Sequence, residues 1–256
     1  MLPYENRIGT ERESSLHRSL KCHYTGEGGV TEVVAPQGTY ICDGITETGE
    51  IIEVQTGSFK PLQEKAQCLA RLNPLRIIHP IIIYKHLERY DAQQRLCSCR
   101  KSPRKGTIWD LFKALVYAPE MPLIPRVTIE LALVGVTERR IQDGRGSWRR
   151  KGISIVDTEL TELHDSIVLS GKDAYEVFLP VPEGKPFTAR DLGTAAGITP
   201  SLARKTLYVL TRLGVAQRLI AKKGNALVYM GPHPRPAPRK KGGGSRSLGL
   251  LTIGHS

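Results

Sequence analysis

The sequence predicts a mixed α/β core joined to a small C-terminal unit of helices and a hairpin. Three observations lead there. Over the first two thirds of the chain, short runs of Ile, Val and Leu alternate with amphipathic helical stretches. The stretch "CDGITETGEIIEVQTG" (42–57) reads as a β-hairpin around Glu47-Thr48-Gly49. Charge is also divided unevenly. Residues 183–256 hold 13 Lys/Arg against two acids, whereas residues 1–182, with 24 basic and 23 acidic residues, are nearly neutral. A chain of 256 residues with 40% hydrophobic content can bury a sizeable core and exceeds the common size of one domain.

In chain order, residues 11–23 predict a helix with Leu16 and Leu20 on one face. Thr10 is its expected N-cap and Glu13 completes a capping box. Strands follow near 31–35, 40–46 and 50–56. "PLQEKAQCLARL" (61–72) is the next helix, with Leu62, Ala66, Leu69 and Leu72 as its apolar stripe. "LRIIHPIIIY" is a buried strand in which Pro80 implies an edge, a bulge or a break. A strand near 94–99 leads into the basic turn "CRKSPRKG", and "IWDLFKALVY" is helical until Pro119. "RVTIELALVGV" and "GISIVDTELTEL" are strands separated by the basic loop "TERRIQDGRGSWRRKG". The expected division is a core over 1–125 and an additional β-rich segment over 126–182 packed on it. A compact unit over 183–231 and a disordered basic tail over 232–256 complete the chain.

The hairpin raises a chemical question, because Asp43, Glu53 and Gln55 stand among its apolar strand residues. With a three-residue loop ending in a left-handed Gly49, Thr46 pairs with Glu50 and Asp43 faces Glu53. Cβ atoms of such partners lie about 4.5–5.5 Å apart, so two bare carboxylates there repel. Mg²⁺ resolves that repulsion, since it takes one or two carboxylates and keeps waters for chemistry. A two-residue loop at Thr48-Gly49 instead puts the two acids on opposite faces.

Residues 187–231 have the layout of a winged helix-turn-helix. Thr188 caps a first helix, Gly197 permits the turn, 201–213 form a second helix, and two strands flank Lys223-Gly224-Asn225. On a helical wheel Leu202, Ala203, Thr206, Leu210 and Leu213 cluster inward. Ser201, Arg204, Lys205, Tyr208 and Arg212 point outward, as a helix in the major groove requires. Lys222 and Lys223 add charge at the wing. With the charge concentrated here, DNA is the expected partner. Arg149, Arg150 and Trp148 in the basic loop form a second candidate surface, where phosphates are followed and one aromatic stacks.

No apolar run reaches the roughly 20 residues a membrane helix needs, and the N-terminus lacks the order of a signal peptide. A cytoplasmic protein without membrane contact is expected. Five thinly spread cysteines match no disulfide framework, and Cys97-Ser98-Cys99 is too close for a zinc knuckle.

The order of an acid-bearing helix, strands carrying Asp and E-x-Q, an amphipathic helix and a buried strand resembles the core of the PD-(D/E)XK nuclease superfamily. The resemblance covers residues 5–90. It implies a restriction-endonuclease-like fold, a mixed sheet flanked by helices. It further implies an Mg²⁺- (or Mn²⁺-) dependent deoxyribonuclease of DNA repair, recombination or defence, with a homodimer as a further assembly. Asp43 and Glu53 match the family's metal ligands, and Glu13 matches its assisting helical acid, with Glu11 the alternative. Gln55 stands where the family's usual Lys is found, as in some of its restriction enzymes. Gln55 can orient a water but supplies no positive charge, a role left to Lys21 or Lys60. The alternative is a non-catalytic DNA-binding regulator on a degenerate nuclease fold.

Overall fold

The computed structural model describes residues 13–232 apart from Gln37, Thr39 and Glu183. Thr10, Glu11 and the tail from residue 233 lie outside the described residues. A seven-stranded mixed sheet occupies the first two thirds of the chain, from Val30 to Ser170. Its order is β1 (Val30–Val34), β2 (Ile41–Ile45), β3 (Ile51–Val54), β4 (Leu75–Tyr90), β6 (Val127–Gln142) and β7 (Ile153–Ser170), with β5 (Leu96–Lys101) paired to the far half of β4. β3, β4 and β6 run parallel, and the outer pairs are antiparallel.

Helix α1 (Ser15–Thr25) covers one face, where Leu16 and Leu20 pack with Ile52, Val54, Ile78 and Val134. α2 (Gln63–Leu69) and α3 (Leu111–Leu115) cover the other, over Ile51, Ile77, Ile129 and Leu131. Neighbours in sequence such as Ile51 and Ile52 therefore serve opposite cores. That is why these strands read as continuous apolar runs rather than alternating ones. Each fully buried Leu or Ile contributes about 1.5–3 kcal/mol.

Several expected boundaries move. The first helix begins at Ser15, capped by Ser14, whose hydroxyl accepts from the His17 N–H; Glu13 therefore precedes the cap instead of completing a box. The 61–72 helix ends at Leu69, ahead of Asn73-Pro74, and leaves Leu72 exposed. β6 runs on into the start of the expected loop as far as Gln142, so Arg139 and Arg140 are strand residues. Arg139 pairs with Glu159 at 2.8 Å, and Arg140 Nε donates to the buried Glu138 at 2.6 Å. Because β6 pairs β4 along its whole length, residues 127–170 belong to the central sheet, and no structural break falls at 125.

Pro80 sits within β4, and its neighbours explain why it is tolerated. β3 pairs only with Leu75–Ile78, and β5 only with 86–90. Between them β4 is an edge on that side. Ile78 O accepts from Gln55 N on that side and Ile82 O from Gly106 N, so Pro80 turns its missing N–H toward the open edge. The edge option is realised in the middle of a central strand.

The C-terminal unit consists of α4 (Ala189–Ala196), α5 (Pro200–Arg212) and a three-stranded sheet. The sheet is ordered β8 (Phe187–Thr188), β10 (Ala226–Met230) and β9 (Gln217–Lys223). Thr188 caps α4 in a capping box with Asp191, and Gly197 takes φ +63° after it. The five inward residues expected on α5 are all buried. α5 also packs against α3, and one apolar core runs from the sheet through Phe112 and Phe178 to Phe187 and Leu207.

Candidate functional site

The β2–β3 hairpin adopts the three-residue loop. Thr46 N donates to Glu50 O at 2.9 Å, Gly49 takes φ +83°, and Ile45 and Gly44 face Ile51 and Ile52. Past that pair, carboxylates take over the bonding between the strands. The Asp43 N–H donates to Glu53 Oε1 at 3.3 Å, and the Val54 N–H donates to Asp43 Oδ2 at 2.7 Å. The two acids therefore meet in the space where β2 and β3 part.

Their environments differ. Glu53 is 5% exposed, and burial, reinforced by the Asp43 charge, pushes its carboxyl up to about 7 despite Lys65. Lys65 reaches it from α2, at 2.6 Å from Oε1 and 2.7 Å from Oε2. For Asp43, burial also opposes charge, but the hydrogen bonds from His17 and the Val54 N–H outweigh it and hold the carboxyl below the usual range. His17 Nε2 lies 3.0 Å from Asp43 Oδ2 and 3.8 Å from Glu13 Oε1. The repulsion expected between bare acids is thus offset by one basic side chain on each.

Glu13 joins this group through His17, and also lies 2.9 Å from Lys21 Nζ. Lys21 is spoken for by Glu13 and by Glu32 at 2.7 Å, while Lys60 stays exposed. The base beside Glu53 is Lys65, which the sequence reading missed. A signal was present: Lys65 directly precedes Ala66 of the apolar stripe, at the border of the buried helix face. Gln55 closes the turn after β3, its amide donating to Ser58 O at 2.6 Å. The backbone carbonyl oxygen of Gln55 lies 2.6 Å from Nδ1 of the buried His79, whose pKa burial lowers.

Among the described residues, no group of three or more His, Cys, Asp or Glu is arranged to hold a metal ion. The donor set present is the Asp43–Glu53 pair. It fits Mg²⁺ in kind, since that ion needs only one or two carboxylates and carries waters. A buried carboxylate held near neutrality gains most from such a charge, provided Lys65 and His17 yield their places.

The other expected residues lie apart from this pair. On α5, Ser201, Arg204, Tyr208 (49% exposed) and Arg212 are exposed and Lys205 is half-buried; Arg212 is paired with Glu120 of the core. Lys222 and Lys223 stand exposed at the β9 tip, beside a fully exposed Ile220. Arg149, Arg150 and Trp148 form a 3-10 turn between β6 and β7. Trp148 is 82% exposed with the Arg149 guanidinium 5.5 Å from its ring centre. Trp148 therefore faces solvent. All five cysteines are free. No helix among the described residues is long and apolar enough to cross a membrane.

The chain is 27% identical over 227 residues to an uncharacterized protein of Treponema pallidum (strain Nichols), covering 87% of this chain and 86% of that protein. No solved structure matches it. The model of the family described as "Domain of unknown function (DUF8091)" matches residues 14–170, from the Ser14 cap of α1 to the end of β7. The match spans the whole central sheet and more than half of the sequence, and the chain belongs to the DUF8091 family.

Proposed function

We propose that this protein is a metal-dependent deoxyribonuclease whose C-terminal unit, a winged helix-turn-helix, binds DNA. One observation carries the reading: Asp43 and Glu53 are joined in the gap between two strands of the mixed sheet, with a cation, Lys65, against the more buried acid. Asp43, Glu53 and, through His17, Glu13 are the residues that would hold Mg²⁺ or Mn²⁺. Such an ion supplies an activated water and neutralises charge on the phosphate. Lys65 supplies the positive charge that Gln55 lacks, and Gln55 fixes the turn that ends the strand. His17 holds Asp43 ionised. The exposed stripe of α5 and the Lys222–Lys223 tip supply a cationic surface for phosphates.

The second reading, a non-catalytic DNA-binding regulator, is favoured by the same ion pairs. Both acids already have protein partners, so the fold holds together without a metal.

Calorimetric titration with Mg²⁺ and Mn²⁺ in the presence of DNA, alongside cleavage of plasmid, linear and branched DNAs, separates the two. Uptake at millimolar concentration with metal-dependent cleavage is expected. No uptake and no cleavage leaves the regulator.

A further inference from the structure

The open edge of β4 forms the floor of a cleft of about 920 Å³. One end of it lies at the turn that follows β3, the strand of Glu53, because Thr56–Ser58 line it and the Gln55 backbone carbonyl is bonded to the lining His79. The turn after β5 forms the facing wall and is pinned at both ends. Ser102 N donates to Lys85 O and Gly106 N to Ile82 O, each at 2.7 Å. Gly106 is needed there, since a Cβ would stand 2.5 Å from Ile82 O. The pinned turn presents Arg104 and Lys105 into the cleft, both exposed and neither within ion-pair reach of a described carboxylate. Lys85 and Lys113 add two more cations, partnered by Glu138 and Asp110. One turn along from Lys113, Tyr117 is 57% exposed on the same wall.

Two unneutralised cations on a fixed turn, in one cleft with an exposed aromatic ring, match what an unpaired nucleic-acid strand needs: phosphate contacts and a face on which a base stacks. We propose that this cleft binds a single strand of DNA and leads it to the Asp43–Glu53 pair. The second half of that statement rests on the nuclease reading; the binding does not. The C-terminal unit, with a helix and a basic hairpin, engages duplex at a separate place, so the substrate implied is DNA with both paired and unpaired parts.

The test measures anisotropy of labelled oligothymidylate and of a hairpin duplex, in EDTA, over a range of salt. Arg104→Ala/Lys105→Ala should weaken strand binding at least tenfold and lower the slope of log affinity against log salt by about 1.4, two phosphates at ~0.7 each. Duplex affinity should change less. Tyr117→Ala should weaken strand binding about tenfold through lost stacking, with the salt slope unchanged. Strand affinity that stays at the wild-type level in both variants overturns the proposal, and so does a loss for duplex that equals or exceeds the loss for strand. Thermal melts of the variants, expected to match wild type, confirm that folding is intact. Cleavage plays no part in this measurement. A wild type that fails to cut while the variants lose strand binding removes the nuclease reading and leaves the cleft assignment standing.

Discussion

The β2–β3 hairpin and helix α5 both display charge, in opposite ways. In the hairpin the acids are turned inward, and each has named partners: His17 and the Val54 N–H for Asp43, Lys65 and the Asp43 N–H for Glu53. On α5 the charges lie outside, over a buried stripe that docks the helix on α3. Charge that is buried and partnered is costly, so its arrangement restricts the chemistry the site can do. Exposed charge costs almost nothing and restricts only the sign of what approaches. The hairpin therefore supports a statement about mechanism, and α5 a statement about polarity alone.

The largest expected effect breaks the hairpin side of this contrast. Asp43→Asn should reduce metal-dependent cleavage to background and, by weakening two hydrogen bonds to a charged acceptor, cost roughly 1.5–3 kcal/mol of stability in urea melts. Glu53→Gln should abolish cleavage as well, with the opposite effect on stability at neutral pH and above. The Glu53 carboxyl titrates near 7 in the folded state, above its ordinary 4.5. Its contribution is thus fully present below the unfolded value and is lost as pH rises through the folded one. The loss amounts to about 3 kcal/mol between pH 4.5 and 8. Asp43, held below its ordinary value, contributes in the other sense, and its stability is lost only in acid. The difference in stability between wild type and Glu53→Gln should slope downward over pH 5–8; parallel profiles would mean that Glu53 is not buried as described.

Next in size is metal uptake. Binding needs ionised Glu53, so the Mg²⁺ affinity seen by calorimetry should fall about tenfold per pH unit below 7 and level off above it. A flat profile places the ion elsewhere. On the α5 side, replacing Arg204, Lys222 and Lys223 together by Ala should flatten the salt slope for duplex by about 2.7, three phosphates at ~0.9 each, with the melt unchanged. These substitutions are a cleaner probe than deleting residues 183–256, because deletion uncovers the apolar surface of α3. The smallest effect is expected from Trp148→Ala, within about 0.5 kcal/mol in stability since the ring packs on nothing buried. A larger cost would show the ring covered in solution.

The hairpin was legible because loop length fixes register: once Gly49 takes a left-handed conformation, the pairing of Asp43 with Glu53 follows by counting. The α5 face was legible because helical period separates Leu202, Thr206 and Leu210 from Arg204 and Tyr208. Lys65 was not, because its partner Glu53 lies on another element and only tertiary packing brings them together. The extent of β6 and β7 was hidden for a related reason. Polar residues such as Glu138 and Arg140 read as loop, yet a strand holds them where ion pairs, Lys85 to Glu138 across strands and Arg140 to Glu138 along β6, replace apolar burial. The cap of α1 was misplaced by choosing Thr10 over Ser14, two hydroxyl residues that local pattern does not distinguish.

The one-sided stretch of β4 has a consequence for solubility. A run of Ile81, Ile82 and Ile83 along an unpaired edge is the kind of template on which a stray strand from another molecule docks and aggregation begins. Pro80 removes one of the amides such a strand would bond to, the pinned basic turn takes the carbonyls of Ile82 and Lys85, and Lys85 places a cation at the far end. The proline in this strand thus acts as a gatekeeper, leaving the notch open while closing it to β-sheet growth.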